Sequence, residues 1–137
     1  PSTDLFVFIP HGADLAFGLA AGSEYDIGPA TPVLLPPKVD ATIATRLWAD
    51  PAFRAELVER IRWVLDEIWD VPALIARAEQ IGALVRSTGL TGTREAITMV
   101  QFEAALADRL DFIARRPDAV RVELANWQTA NPPGDEG

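Results

Sequence analysis

His11 and Asp14, three positions apart, are the residues of this chain best placed to do chemistry. They follow an apolar run, Leu5-Phe6-Val7-Phe8-Ile9, and a break at Pro10, and they alternate with Gly12 and Ala13 before Phe17-Gly18 close the stretch. A strand that ends in a turn and presents one carboxylate among small residues is a common way to hold a metal–phosphate group. Asp14 is that carboxylate, and its structural alternative is a turn or helix-capping aspartate. His11 is the chain's single histidine. One imidazole and one carboxylate fall short of a transition-metal site, which needs a third ligand, and nothing nearby in the sequence supplies it. His11 therefore reads as a loop residue supporting Asp14 or a phosphate, or as a structural histidine. Gly12 and Gly18 let backbone approach a phosphate, or simply supply turn dihedrals.

Composition removes several other chemistries. With no cysteine among 137 residues, disulfides, thiolate catalysis and cysteine-ligated zinc are excluded. The net charge of −8 repels nucleic acid and anionic membrane, so neither is expected as a partner. No apolar run approaches the length of a membrane span. Arg115-Arg116 is the only adjacent basic pair; it would hold a phosphate or offset the negative end of a helix dipole. Tyr25, between Glu24 and Asp26, reads as an acidic-flanked phosphorylation target or as an ordinary packed loop tyrosine. The four tryptophans, Trp48, Trp63, Trp69 and Trp127, fall on separate segments, which favours inter-helix packing over a shared ligand face.

The elements that must position Asp14 are mainly helical. A strand is predicted over 4–9, and a long irregular loop over 19–38, marked by Gly22, Gly28, Pro29, Pro32, Pro36 and Pro37. A first helix is predicted over about 40–49. A second starts at Asp50-Pro51, with Asp50 as N-cap and Pro51 in the first helical position, and runs to about Ile68. Its stripe is Phe53, Leu57, Ile61, Val64, Leu65 and Ile68, with Glu56–Arg60 spaced as an ion pair. A third helix begins near Asp70-Val71-Pro72, carries Leu74, Ala78, Ile81 and Val85, and stops at Gly89. After a Thr91-Gly92-Thr93 loop, with Thr93 as a cap, a fourth spans about 94–115, its stripe Met99, Phe102, Leu106, Leu110 and Ile113. Pro117 is expected to end it and start a fifth over 118–127, with Val120, Leu124 and Trp127 inward. The tail 129–137 reads as disordered. A strand cannot stand alone, so the chain is expected to be a C-terminal piece of a longer protein. Removal of an initiator Met before Pro1 is the competing explanation.

In this order the elements resemble the C-terminal part of the spore-coat CotH family, whose members have an atypical protein-kinase fold. Phe8-Ile9-Pro10-His11-Gly12-Ala13-Asp14-Leu15-Ala16-Phe17-Gly18 is similar to the family's apolar strand, Pro, aromatic-acidic pair, Asp and aromatic-Gly. Leu47-Trp48-Ala49-Asp50-Pro51-Ala52-Phe53-Arg54 resembles its Asn/Asp-Pro-x-Phe-Arg stretch. The span from Phe102 to Leu124, with Leu110, Phe112, Ile113, Arg116 and Val120, resembles its closing helices. The resemblance covers 1–128 and implies the C-lobe of a secreted or envelope-associated kinase. Such a kinase transfers the γ-phosphoryl of ATP, with Mg²⁺ or Mn²⁺, to Ser or Thr of extracellular or coat proteins. By this resemblance Asp14 holds the metal, and His11 and Gly12 lie near the phosphates. The catalytic Asp and the phosphate-binding Lys lie upstream, so this chain alone is expected to be inactive and to pack on the preceding part of its parent. The family often has an acidic residue where this chain has Gly12, and an aromatic where it has His11. That departure admits an alternative: a catalytically inactive, pseudokinase-like surface binding or structural module.

Overall fold

The computed structural model describes residues 28–36, 42–88 and 98–131, and these are mainly helical. The predicted strand 4–9, the Gly89 stop and the Thr91-Gly92-Thr93 loop lie outside the described residues. Helix α1 is Thr42–Ala49, α2 is Pro51–Trp63, α3 is Val71–Thr88 and α4 is Met99–Ala130. Residues 28–36 cross the surface as an irregular strap with a turn at Pro29-Ala30, closed by the Thr31 N–H on the Gly28 carbonyl at 3.1 Å.

Local chemistry sets the helix starts. The Asp50 carboxylate accepts the Ala52 N–H at 2.9 Å, and Pro51 needs no hydrogen-bond partner in the first turn. The Arg54 guanidinium reaches back to the Trp48 carbonyl, tying the end of α1 to α2. At the start of α3 the Asp70 carboxylate accepts the Ala73 N–H at 2.9 Å. Thr98 and Gln101 form a reciprocal capping box at the start of α4: the Gln101 N–H donates to Thr98 Oγ1 at 3.2 Å and the Thr98 N–H to Gln101 Oε1 at 2.7 Å.

Two departures from the predicted elements share one corner of the fold. First, α2 passes into a π-helical turn over Val64–Ile68, in which the Trp69 N–H reaches the Val64 carbonyl at 2.8 Å. Second, the helices predicted over 94–115 and 118–127 are one helix of 32 residues running through Pro117. An interior proline removes the N–H that would bond the carbonyl four residues earlier, here that of Ile113. That carbonyl instead accepts the indole N–H of Trp69 at 3.1 Å. A side chain from the α2–α3 corner thus supplies the donor that Pro117 lacks, and α4 continues to Ala130, into the stretch predicted as tail. Asn131 closes it, its N–H donating to the Trp127 carbonyl at 2.9 Å.

Helix α4, about 48 Å long at 1.5 Å per residue, is the spine of the described structure. Its C-terminal half packs against α2 and the strap, where Leu34, Val58, Leu65, Val120 and Leu124 form the core, flanked by Val33, Trp48, Leu57, Ile61 and Trp127. Val58, absent from the predicted stripe, is the most deeply buried residue of α2, whereas Val64 and Ile68 are exposed. The N-terminal half of α4 packs against α3. At that contact a Cβ on Gly82 would stand 2.6 Å from Leu106 Cδ2, so the glycine permits the close approach. The bidentate Arg86–Glu103 pair, at 2.6 and 2.7 Å, closes the same contact at the surface. Ile81 and Leu84 of α3 and Trp63 at the end of α2 remain largely exposed, and no large side chain among the described residues is fully buried.

Candidate functional site

The strap is held on α4 by two charged side chains two helical turns apart. Arg116 donates through Nη1 to the Pro29 carbonyl at 2.8 Å and to the Thr31 carbonyl. Glu123 takes the next two amides: the Val33 N–H lies 3.0 and 2.9 Å from its two carboxylate oxygens, and the Leu34 N–H 2.8 Å from Oε1. The cation collects carbonyls and the carboxylate collects N–H groups, so the clasp reads strap backbone rather than strap side chains. Both are charge-assisted hydrogen bonds, the stronger kind.

The helical period explains why these two residues share a face: positions seven apart return to nearly the same side of a helix. Arg116 is buried to 9 % exposure, the one charged residue in the core among the described residues. Burial pulls its guanidinium below the ordinary arginine value, and the Glu123 carboxylate partly offsets that effect. The group stays charged at any physiological pH. Its carbon also sits 5.8 Å from the centre of the Phe112 ring, within cation–π range.

Two depressions flank the strap. On one side a groove of about 630 Å³ runs between Ala30–Pro32 and the α4 residues Ala119, Val122 and Asn126, with Arg115 and Asp118 also on its wall. On the other side an apolar slot of about 290 Å³ lies among Val33, Ile61, Val64, Trp69 and Val120. A third hollow, between α2 and α4, is lined by Arg62, Asp66, Arg121 and Gln128. There Arg62 Nη2 is buried without a hydrogen-bond partner, while its Nη1 pairs with Glu59. Arg121 joins the hollow to the π-helical turn through Asp66 at 3.2 Å and the Leu65 carbonyl at 3.4 Å.

His11, Gly12, Asp14, Gly18 and Tyr25 lie outside the described residues. Among the described residues, no group of three or more His, Cys, Asp or Glu is placed to hold a metal ion. The Arg115-Arg116 expectation is corrected: α4 does not end there, so the pair offsets no helix terminus. Arg115 faces solvent and pairs with Asp111 at 3.1 Å, while Arg116 turns inward to the strap. Three of the tryptophans do pack between elements: Trp48 and Trp127 against the core and Trp69 on α4. Trp63 is half-exposed. On α2 Arg62 pairs with Glu59, a spacing of three rather than the four read for Glu56 and Arg60. Sequence reasoning missed Glu123 as a site residue. Its only local signal is its seven-residue spacing from Arg116, and its partners lie 89 and 90 positions away.

No helix among the described residues is long and apolar enough to cross a membrane. No protein-family model, curated protein or solved structure matches this chain.

Proposed function

We propose that this chain is the helical C-terminal portion of a CotH-like atypical protein kinase. Its helices would form the scaffold on which the segment following the Asp14 turn is anchored. The complete protein transfers the γ-phosphoryl of ATP to Ser or Thr of extracellular or coat proteins. Asp14 is the ligand for Mg²⁺ or Mn²⁺, with His11 and Gly12 beside the phosphates. A carboxylate is the hard-oxygen donor these ions take, and the metal's contribution is to neutralise phosphate charge during transfer. The catalytic Asp and the phosphate-binding Lys belong to the preceding part of the parent, and this chain alone is inactive.

The order of three stretches supports the reading. The Asp14 stretch, the Asp50-Pro51 stretch and the Phe102–Leu124 stretch occur in the order of the family's pattern. Arg116, in the third, fastens the strap that follows the first. Asp50 in the second caps α2.

The second reading, a pseudokinase-like surface module, is favoured by one specific residue: Gly12 stands where the family often carries an acid. Binding of ATP to the full-length parent, measured calorimetrically with Mn²⁺ or Mg²⁺, separates the two. Metal-dependent binding that disappears in Asp14→Ala, with the variant still folded, supports the kinase reading. Absence of nucleotide binding in the wild-type parent assigns the domain to the surface-module class.

A further inference from the structure

We infer that the Arg116–Glu123 clasp is a positioning device. It makes the strap a separately releasable segment whose docking sets where the chain downstream of Asp14 leaves the helical scaffold. As a statement about phosphoryl transfer this rests on the kinase reading; as a statement about the strap it stands alone.

Three observations carry it. Among the described residues, the long-range hydrogen bonds of the strap end on two side chains of one helix, Arg116 and Glu123. Among the described residues the strap has no ladder partner, so its backbone is held there by that clasp. Depressions of about 630 and 290 Å³ flank it, and among the described residues its apolar hold on the core is Leu34, with Val33 beside it. Strap residues Ala30, Pro32 and Leu35 are exposed. A segment held by few apolar contacts and a small set of hydrogen bonds belongs to the low-stability end of a fold. In α4, by contrast, Val120 and Leu124 share the core with Val58 of α2 and Leu65 of the π-helical turn, contacts that do not run through the strap. Arg116 and Glu123 are positioning residues, acting on the backbone of Pro29 to Leu34, downstream of Asp14 in the chain.

The experiment is amide hydrogen exchange on the 137-residue chain, wild type against Glu123→Gln. This variant keeps side-chain size and weakens acceptance from the Val33 and Leu34 amides. The clasp predicts that those two amides exchange roughly tenfold faster or more, while the amides of Val58 and Leu124 keep their wild-type rates. Arg116→Lys, which keeps the charge but loses the planar fork, should accelerate the same strap amides. Unchanged strap exchange in both variants overturns the proposal. Equal acceleration of strap and helix amides also overturns it, because the strap would then be an inseparable piece of the core.

In the parent, Glu123→Gln should raise KM for the protein acceptor several-fold while leaving KM for ATP unchanged. A merely structural role would lower the active fraction and leave both constants alone. If wild-type parent transfers no phosphate, the kinase reading fails while the exchange result still decides the clasp.

Discussion

Replacing Trp69 with Phe isolates the device that lets α4 run through Pro117. The substitution keeps an aromatic ring and removes the indole N–H that the Ile113 carbonyl accepts at 3.1 Å. Ile113 is 4 % exposed, so water cannot readily replace the donor, and Pro117 has no N–H to return. A buried acceptor left without its donor costs about 1–3 kcal/mol. Trp69 is only half-buried, so trimming its ring adds about 1 kcal/mol. The expected loss is therefore about 2–4 kcal/mol, read by urea unfolding followed by circular dichroism at the helical band. The decisive comparison is the same substitution beside Pro117→Ala. Alanine restores a backbone N–H four residues after Ile113, and the carbonyl regains a partner within the helix. In that background Trp69→Phe should cost only the packing component, giving a coupling of about 1–3 kcal/mol. Additivity to within about 0.5 kcal/mol, as for independent sites, would refute the exchange of donors.

The α3–α4 contact gives further expectations. Gly82→Leu should destabilise by about 1–3 kcal/mol, by forcing the two helices apart. Gly82→Ala should stay within about 1 kcal/mol, because the clash is with the movable end of Leu106 and alanine favours the helix. Thr98→Ala removes the capping-box acceptor and should cost about 1 kcal/mol in thermal unfolding. The hydrogen bond from Arg86 holds the Glu103 carboxyl below its ordinary value. The stabilisation it adds is therefore complete above the ordinary carboxylate range and is lost as pH falls through that lowered value. The melting temperature of Glu103→Gln should fall less steeply than that of wild type between about pH 5 and pH 3. The pair is half-exposed, so the difference should also shrink with added salt.

The starts of α2 and α3 were legible from local chemistry, whereas the Thr98–Gln101 capping box that opens α4, equally local, was passed over for a start near 94. Asp50-Pro51 announced α2 because cap and proline act on neighbouring residues, and Asp70 announced α3 for the same reason. The inward face of α4 was legible from its period: Phe102, Leu106, Ile113, Val120 and Leu124 are all at least partly buried. Pro117 was misread as a break because the donor that rescues Ile113 sits on Trp69, 44 positions away. No local rule contains that partner. The same is true of Arg116 and Glu123. Each resembles a surface helix charge until the strap, more than 80 positions earlier, is brought against it. The π-helical turn breaks the period after Trp63, and Val64 and Ile68 are exposed; Val58, which precedes the turn, is buried on a face the predicted stripe did not include. Asp14, on which the functional reading depends, was legible only as a carboxylate after an apolar run in a family-like order.

The most direct test of the central claim is phosphate incorporation by the full-length parent with labelled ATP and Mn²⁺ or Mg²⁺, comparing wild type with Asp14→Ala and Asp14→Asn. The account predicts incorporation by wild type and its loss in both variants, with their circular dichroism and melting unchanged. Wild-type levels of incorporation in the folded Asp14 variants would contradict the metal-holding role. A wild-type parent that neither incorporates phosphate nor binds nucleotide would contradict the kinase assignment itself.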